Sequence, residues 1–421
     1  MKRIVIGGLL ALAVATSAAA ADRKADRRYV ELYNRFARTV AENFYDPNLH
    51  GANWQTVVQH YRPRLRNVRT DQDFHRLGQQ MLVELASTRA ELRMPTEAED
   101  DWTGVGVRAW KMGKDLVIQE VDPLSDARRQ GLQAGDVILT SERELLGPAG
   151  SAVSLRIRSC EGPERLVSVR REGAFDPLQR PTFRWSVLRA GEDRRIGYLR
   201  IDGFEDDGAE LADRAMADLK DTDALIIDVR AAAEGSASAL RLASYFTEGP
   251  QPGFVLLSRP WLMRRGGLPD AGEVLAAPKA AGVYTRSGAR QALAANGGAA
   301  ALWTEDLGPR RYTAPVIVLQ GEGTAGGAEG FARLMKLKTR ATVMGRKTAG
   351  ALADFESFDL GQGWSVRLPT HGVWAADGNN YGDRPAPPQV VIPMSRAAMC
   401  AGRDADLEAA VDRLTGARPA V

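Results

Sequence analysis

Short apolar strands alternate with amphipathic stretches between residues 195 and 346, and this alternation limits what the chain can become. "RIGYLRI" (195–201), "ALIIDVR" (224–230), "APVIVLQ" (314–320) and "RATVMGR" (340–346) read as strands. "GAELADRAMADL" (208–219) and "SASALRLASYF" (236–246) read as helices. Strands without a polar face must be covered on both sides, and the alternation places helices there. An α/β core follows. Shorter strands around "ESFDL", "WSVRLPT" and "QVVIP", then a helix from Asp404, extend it. Residues 248–312 are rich in Gly, Ala and Pro with weak periodicity, and long loops are expected there.

The chain upstream differs in character. Tyr33, Phe36, Val40 and Phe44 recur at helical spacing, as do Trp54, Val57, Val58, Tyr61 and Leu65, then Phe74, Leu77, Met81, Leu82 and Leu85. "TDQD" (70–73) has the form of a capping box. A helical domain is expected over 22–100. Residues 101–173 instead alternate as strands do, in "GVGVRAW", "AVSLRIRS" and "ERLVSVRRE". A small β module is expected there, with the α/β core over 174–421.

Met1-Lys2-Arg3, an apolar run from Ile4 to Val14 and a small-residue zone have the pattern of a secretory signal peptide over 1–21, cleaved after Ala20 or Ala21. The run is too short to span a bilayer, so a periplasmic or secreted protein with no membrane span in the mature chain is expected. The net charge is +3 over 421 residues, and Lys2 and Arg3 leave with the leader. No basic tract suggests nucleic acid. An oxidising compartment permits a disulfide between Cys160 and Cys400. Their distance in sequence and assignment to different domains favour two unpaired, buried thiols. His50, His60, His75 and His371 lack metal-ligand spacing. No metal or cofactor is implied.

Particular residues carry a resemblance. "GVGVRAW…QEVDPLSDARRQGLQAGDVILT" resembles a PDZ domain, whose loop, here Gly104, Val105, Gly106 and Val107, binds a peptide's C-terminal carboxylate through backbone N–H groups. Only "SERELL" follows before the next strand segment, so the helix that walls the peptide groove is mostly missing. "IGYLRIDGF", "ADLKDTDALIIDVR", "VIVLQGEGTAGGAEGFARLM" and "TRATVMGRKTAG" resemble the tail-specific, or C-terminal processing, serine peptidases of family S41. "NWQTVVQHYRPRL" and "DFHRLGQQMLVELAS" are similar to its tricorn-core branch. The resemblance implies a ClpP/crotonase-like α/β core and protein or peptide partners.

The same comparison locates substitutions. Family members carry a nucleophilic serine where this sequence has Gly326, and a general-base lysine where it has Ala351. The tricorn-like branch uses a histidine at the position of Thr88 and a late glutamate at that of Gly382. Gly235 and Gly327 fall at the oxyanion positions, with Glu234 beside them. A glycine cannot form an acyl-enzyme. The expectation is a catalytically degenerate relative that binds, scaffolds or regulates. A serine peptidase with a relocated nucleophile and a PDZ-type adaptor are the alternatives. Thr324 reads as a turn hydroxyl, Lys347 as a solvated loop charge and Ser236 as a helix cap.

Overall fold

Strands that are apolar on both faces need cover on both, and the computed structural model of the protein provides it. The structure describes residues 27–95, 102–160, 162–172, 182–191, 193–233, 235–353, 355–381 and 384–416. The expected leader (1–21), Glu234 and Gly382 lie outside the described residues. Six strands stand in the order Val390–Val391, Thr342–Gly345, Val316–Gln320, Ala224–Asp228, Arg194–Ile201, Phe183–Ala190. Every neighbouring pair is parallel except the last, which is antiparallel. Helices Gly208–Leu219, Ala239–Ser244 and Gly326–Lys338 cover one face with Ala212, Met216, Leu240, Phe331 and Met335. Helix Ala405–Thr415 covers the other with Ala410 and Leu414. Its start is where the sequence places it: the Asp404 carboxylate accepts the Leu407 N–H.

Residues 248–312 depart from expectation, because they are ordered. Strands Pro252–Ser258, Lys279–Ala281 and Ala299–Trp303 form a second sheet with His371–Trp374. The fourth strand lies far along the sequence, so no local pattern announces the sheet. Helix Arg286–Ala295 sits beside it, capped by Thr285, whose Oγ1 accepts the Gly288 N–H at 3.0 Å.

At the N-terminal end, a helix over 27–43 is followed by Trp54–Tyr61 and Asp71–Val83. Thr70 and Asp73 form the reciprocal capping box read from "TDQD". Phe36, Phe44, Phe74 and Met81 are buried in one cluster with Val255, Trp364 and Trp374 from much later in the chain. The short strand Glu91–Arg93 pairs with Trp364–Leu368.

The β module is an antiparallel sheet of Val107–Met112, Asp115–Val121, Val137–Ile138, Ala152–Arg158 and Glu164–Arg170, in that spatial order. Along Ala152–Arg158 the residues alternate between exposed and buried, as its sequence pattern requires. Cys160 and Cys400 are joined by a disulfide with Cα atoms 5.5 Å apart, which corrects the expectation of unpaired thiols. Helix Arg396–Cys400 folds back onto the module, where Arg396 donates to the carbonyls of Gly135 (2.8 Å) and Ser159 (3.0 Å). A separation of 240 residues conceals that contact in the sequence. Among the described residues no helix is long and apolar enough to cross a membrane.

Candidate functional site

The strand Val316–Gln320 enters a tight turn and leaves as helix Gly326–Lys338. Thr324 fixes the turn: its hydroxyl accepts the Gly321 N–H (3.0 Å), donates to the Val229 carbonyl (2.8 Å), and is fully buried. It is therefore the turn hydroxyl its sequence context suggested. Ala325 donates its N–H to Ala232 O (2.9 Å). Gly326 follows at φ +55°, a left-handed conformation that glycine adopts without the Cβ penalty. Its N–H donates to the Ala351 carbonyl at 2.9 Å.

The adjoining glycine is required for another reason. A Cβ on Gly327 would lie 2.6 Å from the Ser236 carbonyl oxygen and 3.1 Å from the Gly235 carbonyl carbon. Backbone meets backbone there, so the two positions read as oxyanion-equivalent are in direct contact. Segment 228–236 is held by Asp228 and Arg230. Asp228 accepts from Tyr198 Oη (2.7 Å) and Arg230, and Arg230 continues to Asp404 (2.6 Å) and Asp406 (2.9 Å). Burial alone would raise the Asp228 carboxyl, but the charge and hydrogen bonds of Arg230 and the Tyr198 hydroxyl hold it down, at about 2.

Glu329 ends the "TAGGAE" turn, and its carboxylate is buried. It accepts the N–H groups of Gly350 and Ala351, each at 3.0 Å, and pairs with Arg333 at 2.9 Å. Burial pushes this carboxyl above its usual range against those stabilising contacts. Thr88 donates to Gly350 O (2.7 Å), while Arg89 donates through Nη2 to Ala351 O (2.7 Å). The structure thus brings Gly326, Ala351, Thr88, Gly235 and Gly327 into one neighbourhood. Lys347 is exposed, in keeping with a solvated loop charge.

The segment after Arg230 runs between two depressions. Ala231 and Ala233 line a cleft of about 590 Å³ between module and core, together with Arg108, Trp110, Met394 and Asp404. Trp110 projects from the edge strand Val107–Met112 and lies against Gly323, where a Cβ would be 3.0 Å from its ring. Arg200 pairs with Glu120 at 2.8 Å across the same junction. Gly106 adopts φ +77°, and a Cβ there would strike Ser125 at 2.3 Å. Val105 turns into the module core, Gly104 pairs with Leu146, and Val107 pairs with Val121. Where a groove helix would stand there is one 3₁₀ turn, Glu142–Leu145.

Gly235, Ser236 and Gly327 line the other depression, an apolar pocket of about 70 Å³. Its walls include Phe254, Leu293, Leu302, Leu352 and Val373, and His371, Arg286 and Arg290 also line it. Sequence reasoning missed the wall formed by helix Arg286–Ala295. The signal was present in Thr285 as a cap and in the helical spacing of Ala289, Ala292 and Leu293. Ser236 does not cap a helix through its side chain. Its hydroxyl accepts the Ser238 N–H (3.2 Å) and lies near the Glu205, Tyr284 and Ser238 oxygens, while Ser238 occupies the cap position of Ala239–Ser244.

The peptidase family S41 model matches residues 195–392, and the tricorn protease C1 domain model matches 25–83. A tricorn protease homologue of Streptomyces coelicolor is 28% identical over 242 residues, which are 50% of this chain and only 21% of that protein. A carboxyl-terminal-processing protease of Synechocystis is 23% identical over 410 residues, covering 90% of this chain and 85% of the relative. The solved photosystem II D1 C-terminal processing protease superposes with a TM-score of 0.56 at 19% identity, over 92% of this chain and 97% of that one. Residues 195–392 thus match peptidase family S41, and the curated relatives are a tricorn protease homologue and a carboxyl-terminal-processing protease.

Proposed function

We propose that this chain is an exported S41 homologue that binds polypeptide without cleaving it. Gly326 carries the reading, because it stands at the nucleophile position with no side chain to attack a carbonyl. The positions assigned to a general base are Ala351, which has only a methyl group, and Thr88, whose hydroxyl is bonded to Gly350 O. What remains is the apparatus that positions backbone: Thr324, Glu329, the Asp228–Arg230 pair and the close contact of Gly235 with Gly327. In this reading residues 1–21 direct export to the periplasm, and the PDZ-like module and the clefts around the turn hold a protein or peptide partner. The chain would then act as a scaffold or regulator.

A second reading has one observation in its favour. Ser236 and His371 line the same pocket, as a relocated nucleophile and base would. Against it, the four contacts of the Ser236 hydroxyl are with Ser238, Glu205 and Tyr284 atoms. A nucleophile needs its base within about 2.6–3.2 Å. A fluorophosphonate probe decides between the two. Purified protein should remain unlabelled, whereas stoichiometric labelling, with Ser236 as the modified residue, would establish the enzyme reading instead.

A further inference from the structure

The six-stranded sheet ends differently at its two edges. Val390–Val391 is two residues long, whereas Phe183–Ala190 runs for eight and pairs with Arg194–Ile201 along its whole length without a register shift. Folded proteins blunt an open edge by shortness, proline, lysine or a bulge. "FRWSVLRA" has none of these, and Val187 near its middle is 40% exposed. Among the described residues no further strand lies beyond it.

Backbone hydrogen bonds show which groups face outward. Arg195 turns both of its own toward the start of Ala224–Asp228: its carbonyl accepts the Asp223 N–H at 2.8 Å, and its N–H donates to the Asp223 carboxylate at 2.7 Å. Strand residues alternate sides, so Ile196, Tyr198 and Arg200 face Leu188, Ser186 and Arg184, their partners in register. The Thr182 carbonyl, which accepts the Asp202 N–H at 2.8 Å, continues that set. The N–H and C=O groups of Phe183, Trp185, Val187 and Arg189 therefore point away from the sheet. Among the described residues no backbone group bonds to them there.

The side chains narrow what can pair with this edge. The strand carries Arg184 and Arg189 and no carboxylate. Arg184 is engaged by Asp202, but Arg189 is exposed and among the described residues has no ion pair. Trp185 is half-buried and, two pairs of residues away, lies on the same face as Arg189. An antiparallel second copy of the strand, centred on Val187, sets each Trp185 opposite the other chain's Arg189. It also sets Arg184 opposite Ala190 and Ser186 opposite Leu188. No two arginines meet, each indole gains a guanidinium partner, and a two-fold axis repeats every pair. The outward backbone groups then become the hydrogen-bonded pairs of the new ladder.

We propose that Phe183–Ala190 is a dimerisation edge, at which the central sheets of two copies of this chain join into one continuous antiparallel junction. Such pairing is independent of Gly326 and of the non-catalytic reading.

Sedimentation equilibrium of the purified full chain in the micromolar range should show a dimer. Val187→Pro removes only an outward N–H, a change that an edge strand tolerates. Val187→Lys sets two like charges opposite each other at the two-fold axis. Each should weaken the dimer at least about tenfold, whereas Val391→Lys, at the exposed opposite edge, should not. A circular dichroism melt checks folding, and the lysine variant keeps the test decisive if the proline variant unfolds. Val187→Cys introduces a single free thiol, since Cys160 and Cys400 are bonded to each other, and a short bismaleimide should link two copies through it. A wild-type chain that stays monomeric, as it would if a foreign strand covered this edge, overturns the assignment. So does a dimer that the Val187 variants leave intact, or a Val187→Cys chain that does not cross-link.

Discussion

On the non-catalytic reading proposed above, Gly326→Ser places a hydroxyl at the turn without the groups it would need. At φ +55° a residue with a Cβ pays about 1–2 kcal/mol. For a folding unit of the length spanned by residues 195–392, each kcal/mol shifts Tm by about 2–4 °C. Gly326→Ser should therefore melt about 2–8 °C below wild type. Gly326→Ala should lose a similar amount, because the strain comes from the Cβ rather than the hydroxyl. The alanine variant makes the test sharp: at an ordinary negative φ, Gly→Ala stabilises by about 0.4–1 kcal/mol, so the sign of the shift reports the backbone conformation. Gly327→Ala should also destabilise, by about 1–3 kcal/mol, through overpacking. Its Cβ would meet the Ser236 carbonyl at 2.6 Å, which is backbone and cannot rotate away. Scanning fluorimetry measures all three, and a casein digest followed on gels measures activity. Gly326→Ser should cleave nothing, since Ala351 and Thr88 supply no base. A rise in Tm for Gly326→Ala would refute the strain argument, and casein cleavage by Gly326→Ser would refute the claim that the bases are missing.

Three further outcomes follow from named contacts. The Cys160–Cys400 bridge closes a loop of 240 residues, for which chain entropy gives a stabilisation of up to about 5 kcal/mol. The Cys160→Ser/Cys400→Ser pair should unfold at clearly lower urea than wild type, and an unchanged midpoint with or without reductant would contradict the bridge. Asp228 has a folded-state value of about 2 against an ordinary 3.8, so its contribution is complete above about pH 5 and is lost as pH falls toward 2. That contribution is about 2 kcal/mol, and Asp228→Asn, less stable at neutral pH, should show a correspondingly shallower loss between pH 5 and 2; equal acid slopes would rule this out. Glu329→Ala should cost about 3 kcal/mol by stranding Arg333 and two buried amides. Hydrogen exchange should then quicken at Gly350 and Ala351, and protection equal to wild type at both would show that the carboxylate does not hold that loop.

The sequence made the middle of the central sheet legible because Ala224–Asp228 and Val316–Gln320 are apolar runs and these two, like Arg194–Ile201, are each followed by a helix; the half-exposed edge strand Phe183–Ala190 gave no such signal. It made the capping box at Thr70 and the cap at Asp404 legible because both are local hydrogen-bond patterns. It did not disclose the second sheet, whose strand His371–Trp374 pairs with Pro252–Ser258 across more than a hundred residues, nor the disulfide. At the site, motif spacing singled out Gly326, Gly327, Gly235, Thr88 and Ala351, which lie near one another, while Gly382 is outside the described residues. It did not identify the apolar pocket, because Phe254, Leu302, Leu352 and Val373 come from four separate segments. Long-range contacts of this kind leave no periodic trace.

The division between retained and missing residues follows what each touches. Thr324, Glu329, Asp228 and Gly327 all bind or pack against backbone within the fold, so replacing any of them would unsettle the turn even in a chain that does no chemistry. A nucleophilic hydroxyl at position 326 and a base at 88 or 351 would instead serve a substrate. At 326 a side chain would also strain a left-handed backbone. Glycine relieves that strain, so in a chain that does not cleave, as proposed above, stability favours the residue found there. The same logic explains why the pocket persists: its walls belong to the core cluster that holds helix Arg286–Ala295 and the second sheet together. On the non-catalytic reading, binding can therefore outlast catalysis without any residue being kept for binding alone.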